Sequence, residues 1–234
     1  MKLKVCGMKY NIDEVADLQP DYLGFIFYDK SPRNFDRTIP QLPKEIKKVG
    51  VFVDAELKNV LQTIKAYGLD AVQLHGHETP DYCRQLRKLC HSEQSEESSN
   101  TSNDAYHSGQ SQTTKPTIEI IKVFSIKDEF NFEVLKPFED DVDYFLFDTK
   151  GKLPGGNGYA FDWSVLEQYP SSKPYFLSGG ISLDEIDNIE TFVLKQESKF
   201  CYAIDVNSKF EIEPGLKDIN KLKKFKKQMI SSAI

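Results

Sequence analysis

Apolar positions along the chain fall into two alternating kinds of stretch. Eight short runs are nearly continuous in apolar, aromatic or β-branched residues: Leu3–Cys6, Tyr22–Phe27, Lys48–Val53, Ala71–His75, Glu119–Phe124, Asp143–Phe147, Tyr175–Ser178 and Ala203–Val206. Strands covered on both faces carry such runs, whereas a strand with one wet face alternates, so the pattern points to a buried parallel sheet. Between the runs lie stretches with helical spacing at 11–18, 39–46, 56–67, 80–90, 127–136, 162–169, 183–190 and 216–230. The last places Leu216, Ile219, Leu222, Phe225 and Met229 three or four apart, a stripe suited to docking on a core.

Strand and helix alternate eight times, which predicts an α/β protein with a (β/α)8 TIM barrel as a single domain over residues 1–234. An open doubly wound sheet is the competing architecture. It calls for fewer units or a G-x-G-x-x-G turn after the first strand, where Gly7 stands alone.

Residues 91–115 break the alternation. They contain seven serines and no Val, Ile, Leu, Met, Phe, Trp or Cys. Too little apolar surface is available there to offset the entropy of ordering, so a polar, disordered insertion is expected between the fourth helix and the fifth strand. In a barrel that connection lies at the N-terminal end, opposite the face where chemistry occurs. Without those residues each unit averages roughly 26 residues, close to the ~30 of a compact βαβ repeat. The insertion also carries four acids (Glu93, Glu96, Glu97 and Asp104) against Lys115, and so half of the chain's net charge of −6.

That acidic balance, with a pI near 5.4, speaks against nucleic acid or an anionic membrane as partner. A small anionic ligand is compatible with it, because backbone donors bind phosphate whatever the net charge. The four cysteines, Cys6, Cys83, Cys90 and Cys201, form no C-x-x-C, and the chain opens directly on a strand. A reducing cytosol, a cytoplasmic location, free thiols and no structural zinc are therefore expected. The apolar runs are far shorter than the ~20 residues of a membrane span.

Candidate chemistry collects just after the strands. Lys4-Val5-Cys6-Gly7-Met8 ends the first, and Lys30-Ser31-Pro32-Arg33 follows the second. Phe147-Asp148-Thr149 ends the sixth and leads to Gly155-Gly156-Asn157-Gly158. Leu177-Ser178-Gly179-Gly180 ends the seventh, and Asp205-Val206-Asn207-Ser208 the eighth. Together with Gly24-Phe25-Ile26-Phe27, Val72-Gln73-Leu74-His75-Gly76 and Phe161-Asp162-Trp163, these motifs follow one another in the order found in a known family. Over nearly its full length the chain resembles phosphoribosylanthranilate isomerase of tryptophan biosynthesis.

The resemblance implies an Amadori rearrangement of N-(5′-phosphoribosyl)anthranilate to the aminodeoxyribulose phosphate, with no metal and no cofactor. It assigns Asp148 as general acid and Cys6 as general base. A carboxylic acid stays protonated near neutral pH when buried or beside negative charge, and a thiolate is favoured by nearby positive charge. Taken singly, Cys6 reads equally as a small buried hydrophobe and Asp148 as a helix cap or solvated acid. Arg33 suits the anthranilate carboxylate, since a guanidinium matches a carboxylate bidentately; its plain alternative, and that of Lys30, is a solvated loop charge. Gly179 and Gly180, with Asn207 and Ser208, are expected to bind the phosphate, because barrels often build that site after strands 7 and 8. A glycine pair alone marks a turn. Asp205 is expected on a sugar hydroxyl, as it would repel phosphate.

Two departures from the family pattern are Lys209, where glycine is usual, and Asn157, where Thr or Ser is more common; the latter lies in a Gly-rich stretch read as a lid or a plain turn. His75 and His77 superficially suggest a metal pair but lack recurring acidic or histidine partners. Lys217, Lys221, Lys223, Lys224, Lys226 and Lys227 read as the solvated face of the last helix. The expected partner is the small phosphoribosyl substrate, with the chain a monomer or weak homodimer. Two rivals stand beside this reading. The formimino-ribonucleotide isomerase of histidine synthesis does similar chemistry with an aspartate where Cys6 stands; the other rival is a catalytically silent phosphosugar-binding protein.

Overall fold

The computed structural model describes residues 1–99, 117–127, 129–149 and 162–231. Eight strands close a barrel in sequence order: β1 (Lys2–Val5), β2 (Tyr22–Phe27), β3 (Lys47–Phe52), β4 (Ala71–Leu74), β5 (Glu119–Ile126), β6 (Tyr144–Thr149), β7 (Tyr175–Leu177) and β8 (Cys201–Val206). All neighbours are parallel, and β8 returns to β1 with Lys4 opposite Asp205. Every expected strand is present to within two residues at either end. Five α-helices lie outside: α1 (Ile12–Ala16), α2 (Leu57–Tyr67), α3 (Pro80–Ser99), α4 (Ile186–Val193) and α5 (Ile219–Ser231). A two-stranded antiparallel hairpin, β9 (Glu211–Glu213) and β10 (Leu216–Lys217), follows β8.

The helices depart from expectation in identifiable ways. Residues 39–46 form no helix, because Pro40 and Pro43 remove backbone donors within one turn of each other. The stretches at 127–136 and 162–169 contain only 3-10 turns, Phe132–Phe138 and Trp163–Gln168, the first with Pro137 inside it. The stretch at 216–230 is split. Asn11 pairs its side-chain amide with both the N–H and the C=O of Lys217, at 3.0 and 2.9 Å, and holds that residue extended. Asp218 then accepts from Lys221 N and starts α5. α3 runs nine residues past the expected end of its helix, to Ser99. The rest of the expected insertion, 100–115, and the stretch Gly155–Phe161 lie outside the described residues.

Period-2 alternation sorts the strand residues between two cores. Outward residues such as Leu3, Val5, Phe25, Leu74 and Phe147 meet the helices. Inward residues Tyr22, Val49, Ile121, Leu146 and Phe176 fill the barrel. Near its N-terminal mouth the rings of Tyr144 and Tyr202 stack at 4.7 Å, Tyr22 meets Phe176 edge-on at 5.4 Å, and Lys47 pairs with Glu119. Aromatic rings therefore plug one end, and the inward residues at the other end line a cavity. Thr117, where the described chain resumes, stands two residues before Glu119 at the plugged mouth.

Candidate active site

A cavity of about 420 Å³ opens at the C-terminal end of the barrel, large enough for a phosphosugar bearing an aromatic ring. Cys6, just past β1, and Asp148, on β6, both line it. So do Arg33, Gly179, Gly180, Asp205, Asn207 and Ser208, so one cavity gathers the whole set of expected site residues. Ile26, Val51 and Val53 give it an apolar wall.

Cys6 is buried, and its position is set by the residue beside it on β2. A Cβ on Gly24 would stand 2.9 Å from the Cys6 sulfur and 3.1 Å from its Cα, so only glycine leaves room for the thiol there. Burial pushes the thiol up from its ordinary value, while Lys4 and Lys217 pull it down without prevailing. In the unliganded protein the cations are present, and desolvation outweighs them.

Asp148 is partly buried and lies 3.4 Å from His75 Nε2. Gln73 reaches the other ring nitrogen, Nδ1, also at 3.4 Å. His75 was singled out only as a doubtful metal ligand; in the folded chain it is the neighbour of the candidate acid. His77 is 97% exposed and pairs with Asp54. Among the described residues, no cluster of three or more His, Cys, Asp or Glu could hold a metal ion.

Asp205 is buried and accepts from Lys4 Nζ at 2.7 Å through Oδ2, while its Oδ1 has no protein partner. A buried carboxylate oxygen left free is costly unless a ligand donor meets it. That fits the expected sugar hydroxyl.

Around Gly179 the backbone adopts φ +93°, and a Cβ there would collide with the backbone nitrogen and side chain of Thr149. Glycine lets the segment after β7 close against β6, where Gly179 and Gly180 line the cavity. Asn207 has a fixed amide orientation: Lys217 Nζ donates to its Oδ1 at 2.9 Å, and because an ammonium only donates, the Nδ2 protons remain for an anion.

Arg33 is not the free clamp that its loop position suggested. Its Nε and Nη2 edge grips Glu211 of β9, with Nη2 2.6 Å from Oε2 and Nε 2.9 Å from Oε1. The two Nη1 protons and the second Nη2 proton remain for a ligand. Glu211 Oε1 also accepts from Lys217 Nζ at 2.8 Å. Lys217, expected on a solvated helix face, is instead fully buried on β10, where Asn11 fixes its backbone. Lys226 is also partly withdrawn from solvent, donating to the Gln19 carbonyl beyond α1. Arg33, Glu211, Lys217 and Asn207 therefore form one chain of contacts joining the expected carboxylate donor to the expected phosphate donor. No sequence motif pointed to Glu211; an acid and a lysine flanking the turn at Gly215 were the only trace.

Comparison with known proteins places these features in a family. A family model described as N-(5'phosphoribosyl)anthranilate (PRA) isomerase matches residues 3–115 and 105–228. The N-(5'-phosphoribosyl)anthranilate isomerase of Parabacteroides distasonis is 39% identical over 242 residues, covering 100% of this chain and 96% of that protein. The crystal structure of the phosphoribosyl anthranilate isomerase of Thermotoga maritima superposes with a TM-score of 0.72 at 26% identity, covering 99% of both chains. A structure of that enzyme type in complex with reduced 1-(o-carboxyphenylamino)-1-deoxyribulose 5-phosphate superposes with a TM-score of 0.69 at 25% identity, again over 99% of both chains.

Proposed function

The chain belongs to the N-(5'-phosphoribosyl)anthranilate isomerase family, and from that premise we propose how its own residues carry out the rearrangement that serves tryptophan biosynthesis. The observation that carries the reading is the convergence of Cys6 and Asp148, from strands distant in sequence, on one cavity that also offers donors for two anionic groups.

Asp148 protonates the furanose ring oxygen; the C1′–O bond breaks, and the nitrogen lone pair forms the C1′=N iminium. Cys6 thiolate then removes the C2′ proton, and the C–H electron pair makes the C1′–C2′ double bond as the iminium electrons return to nitrogen. The resulting enol-amine gains a proton at C1′ while its C2′ hydroxyl gives one up to form the carbonyl, and becomes the ketose. Each positioned proton transfer contributes about 10²–10⁴-fold. The Gly179–Gly180 amides, Asn207 Nδ2 and Ser208 hold the phosphate. Nη1 of Arg33 meets the carboxylate, the aryl ring lies on Ile26, Val51 and Val53, and Asp205 Oδ1 accepts from a sugar hydroxyl.

The competent form has its proton on the acid and none on Cys6. kcat/KM is expected to be level through neutral pH and to fall in alkali, when that proton leaves the site. Because burial raises the thiol, the alkaline fall lies above the ordinary thiol range of ~8.5. A stopped-flow pH series checks this; a fall centred below pH 8 would contradict the assignment.

Lys209 lines the cavity and makes no hydrogen bond or ion pair with any described residue. Beside the phosphate donors, an unpaired ammonium adds attraction that salt screens. Lys209→Ala is expected to raise KM about threefold at low ionic strength, a few tenths of a kcal/mol to 1 kcal/mol as for exposed charge pairs, with kcat unchanged. The difference shrinks in 0.5 M salt, an ionic strength of about five times that at which the screening length is ~10 Å. An effect on kcat alone would refute it.

A further inference from the structure

Among the described residues two lysines are completely buried, Lys4 and Lys217. Lys217 is held by Glu211 and Asn207. Lys4 has no role in the chemistry above, although burying an ammonium is costly and a hydrophobic residue of similar size would fill the same space. It lies two residues before Cys6, so strand alternation turns both side chains into the barrel. Across the β1–β8 seam its partner is Asp205, at 2.7 Å through Oδ2. The Lys4 charge also draws the Cys6 thiol down, and Cys6 in turn draws the ammonium up.

Among the described residues the charged surroundings of Cys6 can be placed. Lys4 comes from its own strand, Asp205 from β8 and Lys217 from β10, while Asp148, His75, Arg33, Lys30 and Lys209 share the cavity. Arg33 and Lys217 share the buried carboxylate of Glu211, which cancels much of their field at the sulfur. Lys4 is paired with Asp205 and stands two residues from Cys6 on the same strand, the cation that draws the thiol down most.

We propose that Lys4 is a positioning residue for the Cys6 thiolate: its buried ammonium, oriented by Asp205, makes the base form accessible in a desolvated site. This rests on Cys6 being the base. Burial works to drive the ammonium's proton off, yet Asp205 and Cys6 together more than offset that, and Lys4 is raised from its ordinary value. The cation is therefore present at every pH at which the enzyme works. Asp205 thus has two functions divided between its oxygens: Oδ2 orients Lys4, and Oδ1 is left for the substrate.

The test is the rate of Cys6 alkylation by iodoacetamide against pH, resolved by mass spectrometry from Cys83 and Cys201, whose thiols burial pushes up to about 12. In Lys4→Met the rate at pH 8 is expected to fall about tenfold, the effect of a one-unit rise in the thiol's midpoint. The level part of kcat/KM falls by a similar factor while its alkaline limb moves upward, and Lys4→Arg restores most of both. General loss of packing would lower kcat/KM without extending the alkaline limb. Since Lys4→Met leaves Asp205 unpaired, Lys4→Met/Asp205→Asn provides a charge-balanced variant, in which alkylation is still expected to slow. An unchanged alkylation midpoint in a folded Lys4→Met or in the double variant would overturn the proposal. A slowed alkylation alongside wild-type kcat in Cys6→Ser would instead uphold the field of Lys4 and overturn the role of Cys6 as base.

Discussion

Asp148→Asn is expected to lower kcat about 10³-fold, within the 10²–10⁴ range of a lost general acid, while KM changes less than threefold and folding is unaffected. The amide has the shape of the carboxyl, so the substitution removes a transferable proton and little else. His75 Nε2, 3.4 Å from Asp148 Oδ2, can still meet an oxygen there. The phosphate and carboxylate donors lie on other segments, after β7, after β8 and after β2, and binding should survive. A fall in kcat and kcat/KM by the same factor is the signature of an interaction realised only in the transition state. Steady-state kinetics with the product analogue as a binding control distinguishes the outcomes. Weakened binding of the analogue with kcat preserved would make Asp148 a binding residue and remove it from the chemistry.

Glu211→Ala is expected to have the largest effect on stability of any substitution outside the barrel core. The side chain is buried and neutralises both Arg33 and the fully buried Lys217. Removing one partner of a buried ion pair typically costs about 3–5 kcal/mol, because the remaining charge is left without compensation. For a chain of this size each kcal/mol corresponds to about 2–4 °C, so Tm should fall by roughly ten degrees. Burial by itself would raise the Glu211 carboxyl, but Arg33 and Lys217 hold it below the usual range. Its folded value is therefore depressed, and its stabilising contribution is complete above the unfolded value of ~4.3 and lost as pH falls through the folded one. Wild type and Glu211→Ala should thus differ most in Tm near neutrality and converge in acid, as calorimetry at several pH values would show. An equal difference at pH 3 and pH 7 would mean that packing rather than charge carries the effect. KM should rise as well, since Arg33 and Asn207 lose their common anchor.

The strands were legible because burial on both faces leaves a nearly continuous apolar run, and only a few arrangements satisfy eight such runs in order. Helices were less so. Residues 39–46 carry helical spacing yet contain Pro40 and Pro43, and the missing backbone donors outweigh the pattern. Residues 216–230 gave a clean stripe whose start is nevertheless extended, because a side chain more than two hundred residues away, Asn11, supplies the hydrogen bonds of a neighbouring strand. No local propensity encodes that contact.

The site divides along the same line. Cys6, Asp148, Gly179 and Asn207 follow strands directly, so topology alone brings them to one end of the barrel. The network behind them depends on contacts that sequence order hides. Lys217 looked like one of several surface lysines and is fully buried; Glu211 carried no signal before Arg33 was seen to grip it. Lys4 was visible as the first residue of the Lys4-Val5-Cys6-Gly7-Met8 motif and as a charge inside an apolar strand, a position that in a closed barrel faces either the core or the cavity. Its meaning emerged from the register that sets it against Asp205.

The central claim is that this chain rearranges N-(5'-phosphoribosyl)anthranilate with Cys6 as base. Its most direct test is the loss of substrate fluorescence on mixing with the wild-type chain and with Cys6→Ser, at equal folded concentration. Turnover by the wild type, with a loss of at least 100-fold in the variant, is the predicted result, since a neutral hydroxyl is a far weaker base than a thiolate and a lost base costs about 10²–10⁴-fold. An inert wild type, or a Cys6→Ser variant within a few-fold of it, would contradict the account.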